Sequence, residues 1–268
     1  MFSRVVGAVV LFFALVLLYE PGAAEWYVGG YGGFSSPSDL TSVSMPDFGR
    51  RSVLDDPLLG NGAGNPALAS VTQTFKTSDL KTSTSPIFGG KVGYFFDQQQ
   101  FPWLGVELEV FTTKPDIEGQ VVQTNQDIQF NPVNIAPTGS CTDFYPTATP
   151  NCPQLITKTG SLQIPASSLR VFTAAANVLV RYPGRWIEPY AGVGIGAFYF
   201  RGTGPIAGDQ VVPGFNGLWG VKLFPFEDWG VFVEGKYNRA TITSLDSTFG
   251  ISGTYDVFHV VVGALYRF

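Results

Sequence analysis

Apolar and polar residues alternate with a period of two in eight runs along this chain of 268 residues. In the clearest run, Val106, Leu108 and Val110 are separated from one another by glutamates. This alternation is typical of a β-strand whose two faces meet different surroundings. The predicted strands cover residues 26–35, 86–97, 103–114, 170–182, 186–201, 213–224, 229–242 and 255–268.

The connections between these strands alternate between short and long. The short ones are turns of a few residues marked by proline, glycine or polar residues. Long loops are predicted at 36–85, 115–169, 202–212 and 243–254. Short turns at one end and long loops at the other are typical of a transmembrane barrel, which must close because lipid cannot satisfy a free strand edge. The sequence therefore predicts an all-β fold, an eight-stranded antiparallel up-and-down transmembrane β-barrel with long extracellular loops.

The amino-acid composition also argues against a soluble enzyme. Only 14% of the residues are charged, against roughly 25% in an average soluble domain, while 45% are hydrophobic and 15% aromatic. A net charge of −5 provides no basic surface, so we expect no nucleic-acid partner. One histidine and two cysteines are too few for most metal sites, and no cofactor is predicted.

The first 24 residues are predicted to be a secretory signal peptide. Arg4 supplies the positive start, the apolar stretch 5–19 is too short to span a bilayer as a helix, and small residues precede a cleavage site after Ala24. The alternative is an uncleaved amino-terminal anchor. Residues 25–268 then form the barrel domain.

Aromatic residues cluster at both ends of the predicted strands. Four of the five tryptophans, at positions 26, 103, 186 and 229, fall at the end with short turns. The opposite end carries Phe34, Phe88, Phe111, Phe172, Tyr199 and Phe258. Two such girdles are expected where a barrel crosses the two membrane interfaces.

Three motifs carry a resemblance to a known family. The chain ends in an alternating strand at 260–268 that finishes on Phe268, it has GGYGGF at 29–34, and it has EPYAGVGIG at 188–196. In this order the motifs resemble the outer-membrane β-barrel domain family, which includes the OmpA transmembrane domain and the opacity-type proteins. The resemblance implies the outer membrane of a Gram-negative cell, with outer-membrane lipids and the barrel-assembly machinery as partners. It also implies that Tyr266 and Phe268 form the assembly signal.

A set of polar residues shares the inward face of the predicted strands. Charges in so narrow a lumen must be paired or hydrated, so an ion-pair network that fills the barrel is the favoured interpretation. The alternatives are a water-filled path for small solutes and an interior catalytic site. The predicted lumen network consists of Lys91, Glu107, Glu109, Asn177, Arg181, Glu188, Lys222, Glu234, Lys236, His259 and Arg267.

His259 is the one histidine of the chain. A lipid-modifying barrel enzyme would need a serine or threonine and a carboxylate beside it, facing the lipid. The predicted strand of His259 contains neither serine nor threonine, and its side chain is predicted to face the lumen. We therefore expect His259 to join Glu107, Glu109 or Glu234 in the lumen network.

Cys141 and Cys152 both lie in the second long loop. Export to an oxidising compartment predicts a disulfide between them, which would stiffen this loop. The polar loops 36–85 and 115–169 are predicted to bind an extracellular partner or, alternatively, to form a passive hydrophilic shield. The predicted function is thus a structural or surface-interaction role without catalysis. The alternatives are a narrow passive channel for small solutes and, more remotely, a lipid-modifying barrel enzyme.

Overall fold

A computed structural model describes residues 25–36, 39–54, 68–96, 101–132, 155–246 and 248–268. The predicted signal peptide and both cysteines lie outside these residues, so the cleavage site and the disulfide stay predictions. Within the described ranges, no helix is long and apolar enough to cross a membrane.

The chain is built almost entirely of strands. They are β1 (Glu25–Ser35), β2 (Leu40–Ser44), β3 (Leu68–Thr77), β4 (Ser85–Phe95), β5 (Leu104–Thr113), β6 (Asp116–Ile117), β7 (Gln120–Pro132), β8 (Leu155–Ile164), β9 (Ser167–Arg181), β10 (Ile187–Thr203), β11 (Gly208–Leu223), β12 (Trp229–Ile242) and β13 (Ser252–Arg267). One α-helix, α1 (Pro46–Leu54), follows β2, and a short 3-10 helix (Gly204–Ile206) joins β10 to β11.

Eight of these strands form a closed antiparallel ring in the order β1, β4, β5, β9, β10, β11, β12 and β13. β13 pairs back onto β1, with Tyr27 opposite Arg267 and Ser35 opposite His259. The predicted fold class is therefore confirmed, and each ring strand matches one of the eight predicted runs. The turn end is the end where β1 starts and β13 stops, and the loop end is the opposite one.

The prediction of a long loop at 202–212 is wrong. β10 and β11 remain paired out to Gly202 opposite Gly208, so only a tight turn joins them. Ile206, in that turn, is completely buried, and this burial anchors the hairpin against the apolar core at the loop end.

The two longest predicted loops contain regular structure. β2 pairs with the start of β13, and β3, β7 and β8 continue the same sheet beyond it. β6 pairs with the start of β9, while α1 lies against β3. Most residues of these segments are polar, so an alternation of apolar and polar positions does not predict them. We call β2, β3, β7, β8 and α1 the extension.

An apolar core closes the loop end of the barrel. It joins inward side chains of the ring to side chains of the extension, and we call it the upper core. Its buried members are Leu40, Val43, Met45, Phe75, Leu80, Ile117, Val122, Ile164, Leu169, Val171, Phe198, Phe200, Ile206, Val212, Ala240, Ile242, Leu245, Ile251, Tyr255 and Val257. The long connections therefore fold inward over the mouth of the barrel.

Candidate functional site: the barrel interior

The structure places the predicted polar residues of the ring inside the barrel, below the upper core. Ten of the eleven are buried, and Arg267, close to the turn end, is partly exposed. Strand alternation explains the placement, since every second residue of a barrel strand faces inward. The same rule corrects one girdle assignment: Phe111 has the parity of Glu107 and Glu109 and is buried in the interior.

Five charged side chains meet near the middle of the lumen. Lys91 Nζ lies 2.6 Å from Glu234 Oε2 and 3.5 Å from Glu107 Oε2. Lys236 forms ion pairs with Glu109 and, at 3.6 Å, with Glu234 Oε1. All five side chains are fully buried, and removing such charges from water is costly unless pairing and hydrogen bonds offset it.

Three tyrosines complete this cluster. The phenol of Tyr27 donates to Glu107 Oε2 at 2.6 Å, and that of Tyr190 donates to Glu234 Oε2 at 2.5 Å. Tyr31 donates to Glu109 Oε1 in the same way. Each of the three glutamates thus accepts one tyrosine hydroxyl. The sequence prediction missed the tyrosines, although their strand parity could have placed them inside.

Glycines make room for the tyrosine rings. A Cβ atom added to Gly93 would collide with the ring of Tyr27, and one added to Gly89 would collide with that of Tyr31. The strand backbone fixes the position of both glycines. A larger side chain at either position would therefore push the tyrosine ring away from its glutamate.

A relay of asparagine amides leads across the lumen to the charged cluster. Asn238 Nδ2 donates to Asn216 Oδ1 at 2.6 Å, and Asn216 Nδ2 donates to Asn177 Oδ1 at 2.7 Å. Asn177 Nδ2 donates in turn to Glu107 Oε1 at 3.3 Å. Only Asn177, on β9, was in the predicted network; Asn216 and Asn238 also face inward, from β11 and β12.

Lys222 is held by aromatic rings rather than by a carboxylate. Its ammonium lies 3.8 Å from the ring centroid of Tyr27, 4.7 Å from that of Phe95 and 4.8 Å from that of Tyr190. Among the ion pairs of the described residues, Lys222 takes part in none. Cation–π attraction is strongest for such a desolvated cation.

A second ionic cluster lies across the turn end. Arg181 binds both carboxylate oxygens of Glu25, at 2.9 and 2.8 Å, and Glu188 at 3.1 Å. Arg267 lies 3.5 Å from Glu188 and 3.6 Å from Glu25. Glu25, the first residue of β1, lies just before the first predicted strand (26–35) and was not in the predicted network.

His259 differs from the prediction. In the described structure it pairs with no glutamate; its Nδ1 lies 2.7 Å from Ser35 Oγ on the adjacent strand, and Ser35 contacts Thr113 at 2.9 Å. The physical reason is the strand register, which places His259 opposite Ser35 on β1 and opposite Lys236 on β12, so its cross-strand neighbours are a hydroxyl and a cation. Nε2 has no hydrogen-bond partner among the described residues, so no carboxylate orients the imidazole. Both Ser35 and His259 are buried below the upper core.

The carboxy-terminal residues lie on the outside of the ring at the turn end. The ring of Tyr266 lies 5.1 Å from Trp229 and 5.0 Å from Phe268, measured between centroids. The amide of Phe268 donates to the carbonyl of Trp26 at 2.9 Å. The last residue therefore closes the ladder between the first and last strands.

No family model matches the sequence, and no curated protein matches it. Solved structures of similar fold include Ail, the attachment invasion locus protein of Yersinia pestis, in complex with the heparin analogue sucrose octasulfate, at 11% identity and a TM-score of 0.43. Neisserial surface protein A gives 10% identity and a TM-score of 0.43. In both, the match covers 92% of this chain and 100% of the other.

The N-terminal β-barrel domain of Pseudomonas aeruginosa OprF matches at 9% identity and a TM-score of 0.36, over 91% of this chain and 97% of that one. These structures are eight-stranded outer-membrane β-barrels. The strand pairing of the present chain itself establishes its own closed ring of eight strands.

Proposed function

We propose that this protein is an integral outer-membrane barrel with a closed interior, and that its role is structural or interactive at the cell surface rather than catalytic. The observation that carries the proposal is the combination of a filled lumen with an apolar outer face. The outer face supports the membrane location, and the lumen supports the absence of a pore.

The outer face of the ring is apolar along its middle, and we call this zone the apolar belt. Outward valines are about half exposed, for example Val233 at 52% and Val262 at 57%. Exposed aromatic side chains lie at both ends, such as Trp186 at the turn end and Phe34 at the loop end. Water would not tolerate so large an apolar surface, whereas lipid and its two interfaces match it.

Described side chains occupy the lumen at three levels, which supports a closed interior. Charged pairs and tyrosines fill its middle, the Arg181 cluster crosses the turn end, and the upper core covers the loop end. Ion pairs and tyrosine hydrogen bonds offset part of the cost of burying these charges, although Glu109 Oε2 has no hydrogen-bond partner among the described residues. We therefore favour a structural barrel over a narrow passive channel.

Planar-bilayer recordings test this closure. We expect the full mature chain, folded and inserted, to give no conductance steps above the lipid background, while a pore-forming barrel in the same bilayer gives discrete steps. Heat-dependent gel migration of the same sample checks that the barrel is folded. Reproducible unitary steps from the folded protein would overturn the closed-lumen proposal in favour of a channel.

The extension and the carboxy-terminus support the proposed partners. The extension presents a polar surface beyond the apolar belt, so we propose that loops 36–85 and 115–169 contact an extracellular partner. Tyr266, which is partly exposed, and Phe268, which is exposed, form an aromatic pair at the turn end, and we propose that the barrel-assembly machinery recognises this pair. The belt itself would contact outer-membrane lipids.

A further inference from the structure

A basic pocket lies on the outer surface of the ring near its loop end. It has a volume of about 360 Å³ and is lined by Lys114, Ser168, Arg170, Arg201 and Thr203. Three of these five residues are cationic, and none carries a carboxylate. The lining is therefore positively charged, although the carboxylate of Asp116 accepts a hydrogen bond from Ser168 Oγ at 2.7 Å.

The two arginines of this pocket face each other across the β9–β10 ladder, where Arg170 lies directly opposite Arg201. Like charges opposite each other on neighbouring strands repel. Asp209 lies opposite Arg201, yet neither arginine forms a salt bridge with any carboxylate in the described parts of the chain. A bound anion would remove this repulsion.

An apolar groove runs along the same outer surface between β10 and β11. It has a volume of about 540 Å³, and its lining includes Ile195, Ala197, Val211, Pro213 and Phe215. Ala197 lies opposite Pro213, so two compact residues form a depression between larger neighbours. Such a depression suits a flexible alkyl chain.

The groove and the basic pocket both include outward residues of β10, and Tyr199 lies between them on the same face. On β10, Ala197 precedes Arg201 by four residues on the same face, a distance of roughly 13 Å along the strand. The pocket lies beyond the outermost apolar residues of the belt, because Phe172 is followed toward the loop end by Arg170 on the same face of β9. The order from the loop end inward is thus cation pocket, then apolar groove.

We propose that the pocket and the groove together bind one phosphorylated acyl lipid of the outer leaflet. Its phosphate would lie between Arg170 and Arg201, since guanidinium groups bind phosphate oxygens through paired hydrogen bonds. One acyl chain would occupy the groove beside Ala197. The inference rests on the proposed membrane location and orientation, and it adds a specific lipid site to them.

Native mass spectrometry of the folded mature chain in detergent tests this site. The probes are diphosphoryl lipid A, the same lipid after enzymatic dephosphorylation, and inorganic phosphate. We expect the Arg170→Ala/Arg201→Ala variant to weaken binding of diphosphoryl lipid A at least tenfold, and dephosphorylation of the lipid to weaken its binding to the wild type similarly. Ala197→Phe, which fills the groove, should weaken lipid binding several-fold but leave the binding of inorganic phosphate unchanged.

Arg239→Ala is the matched control, because Arg239 is an exposed arginine of the ring whose charge is paired with Asp256 at 3.6 Å. This variant should bind lipid like the wild type. Equal lipid affinity of the double variant and the control would overturn the proposal, as would an Ala197→Phe variant that binds lipid normally. Insertion of the wild type into vesicles is measured in parallel: a failure there contradicts the proposed function, whereas normal insertion with unchanged lipid affinities contradicts the lipid site alone.

Discussion

Glu234 is the carboxylate that links both lysines of the central lumen cluster. It pairs with Lys91 and Lys236 from two other positions on the ring and accepts the hydroxyl of Tyr190. Its neutralisation would leave two buried ammonium groups short of a counter-charge. Breaking a buried pair by removing one partner costs about 3–5 kcal/mol because the remaining charge is uncompensated.

We predict that Glu234→Gln lowers the free energy of unfolding in detergent by about 3 kcal/mol, since the amide keeps the shape but removes the charge. Urea unfolding followed by tryptophan fluorescence measures the change. Glu227→Gln, on an exposed turn, is the control and should stay near the wild-type value. A loss below about 1 kcal/mol for Glu234→Gln would mean that the lumen charges are already hydrated.

Gly93 and Gly30 allow a matched comparison on two adjacent strands. A Cβ atom at Gly93 would collide with Tyr27, whereas one at Gly30 would meet only a distant carbonyl oxygen at 4.0 Å. We predict that Gly93→Ala destabilises the barrel by about 1–3 kcal/mol through overpacking, while Gly30→Ala has little effect. Urea midpoints of the two variants test this, and equal midpoints would show that Tyr27 can move without loss.

Alternation along single strands accounts for what could be predicted about the interior. It placed the charged residues from Lys91 to Arg267 on the inner side, because parity is a local property of each strand. Contacts between strands depend on register and on the closure of the ring. For this reason the sequence could not predict the contact of His259 with Ser35. Nor could it predict the hydrogen bonds from the tyrosines to the glutamates.

Among the elements, the ring strands were predictable and the extension was not. β5 and β12 separate apolar and polar faces sharply, as expected of strands between lipid and a polar lumen. β3 and β7 instead carry many polar residues, for instance Gln126, which donates to the carbonyl of Gly49 in α1 at 3.0 Å. Strands held by polar side-chain contacts do not show the alternation of apolar and polar residues from which a strand is predicted.

The last strand carries a prediction about assembly. Deletion of Phe268 removes the hydrogen bond from its backbone amide to the carbonyl of Trp26, and it removes the ring contact with Tyr266. We predict a severalfold lower level of folded protein in the outer membrane, with refolding of the purified chain in detergent largely preserved. Membrane fractionation and heat-dependent gel migration measure the two quantities.

Phe226→Ala is the control for this deletion, because Phe226 is an exposed aromatic residue on a turn at the same end. Its membrane level should equal that of the wild type. If the chain lacking Phe268 reaches the membrane normally, the carboxy-terminal phenylalanine is not an assembly signal.

At the scale of the whole molecule, three layers of different chemistry follow one another inside the barrel. Ionic contacts cross the turn end, paired charges and tyrosines fill the middle, and the upper core covers the loop end. The first two layers come from the ring, so strand parity indicates their residues. The third requires side chains of the extension, such as Val43 and Phe75, whose approach to the ring depends on contacts distant in sequence.

The pairing of β1 with β13 also sets the order in which the molecule can form. Tyr27 and Arg267 are partners across that seam although nearly the whole chain separates them. Contacts between such distant positions carry the largest loop-closure entropy, and proteins dominated by them fold slowly. The edge of β1 that faces β13 therefore stays unpaired until the last strand is available.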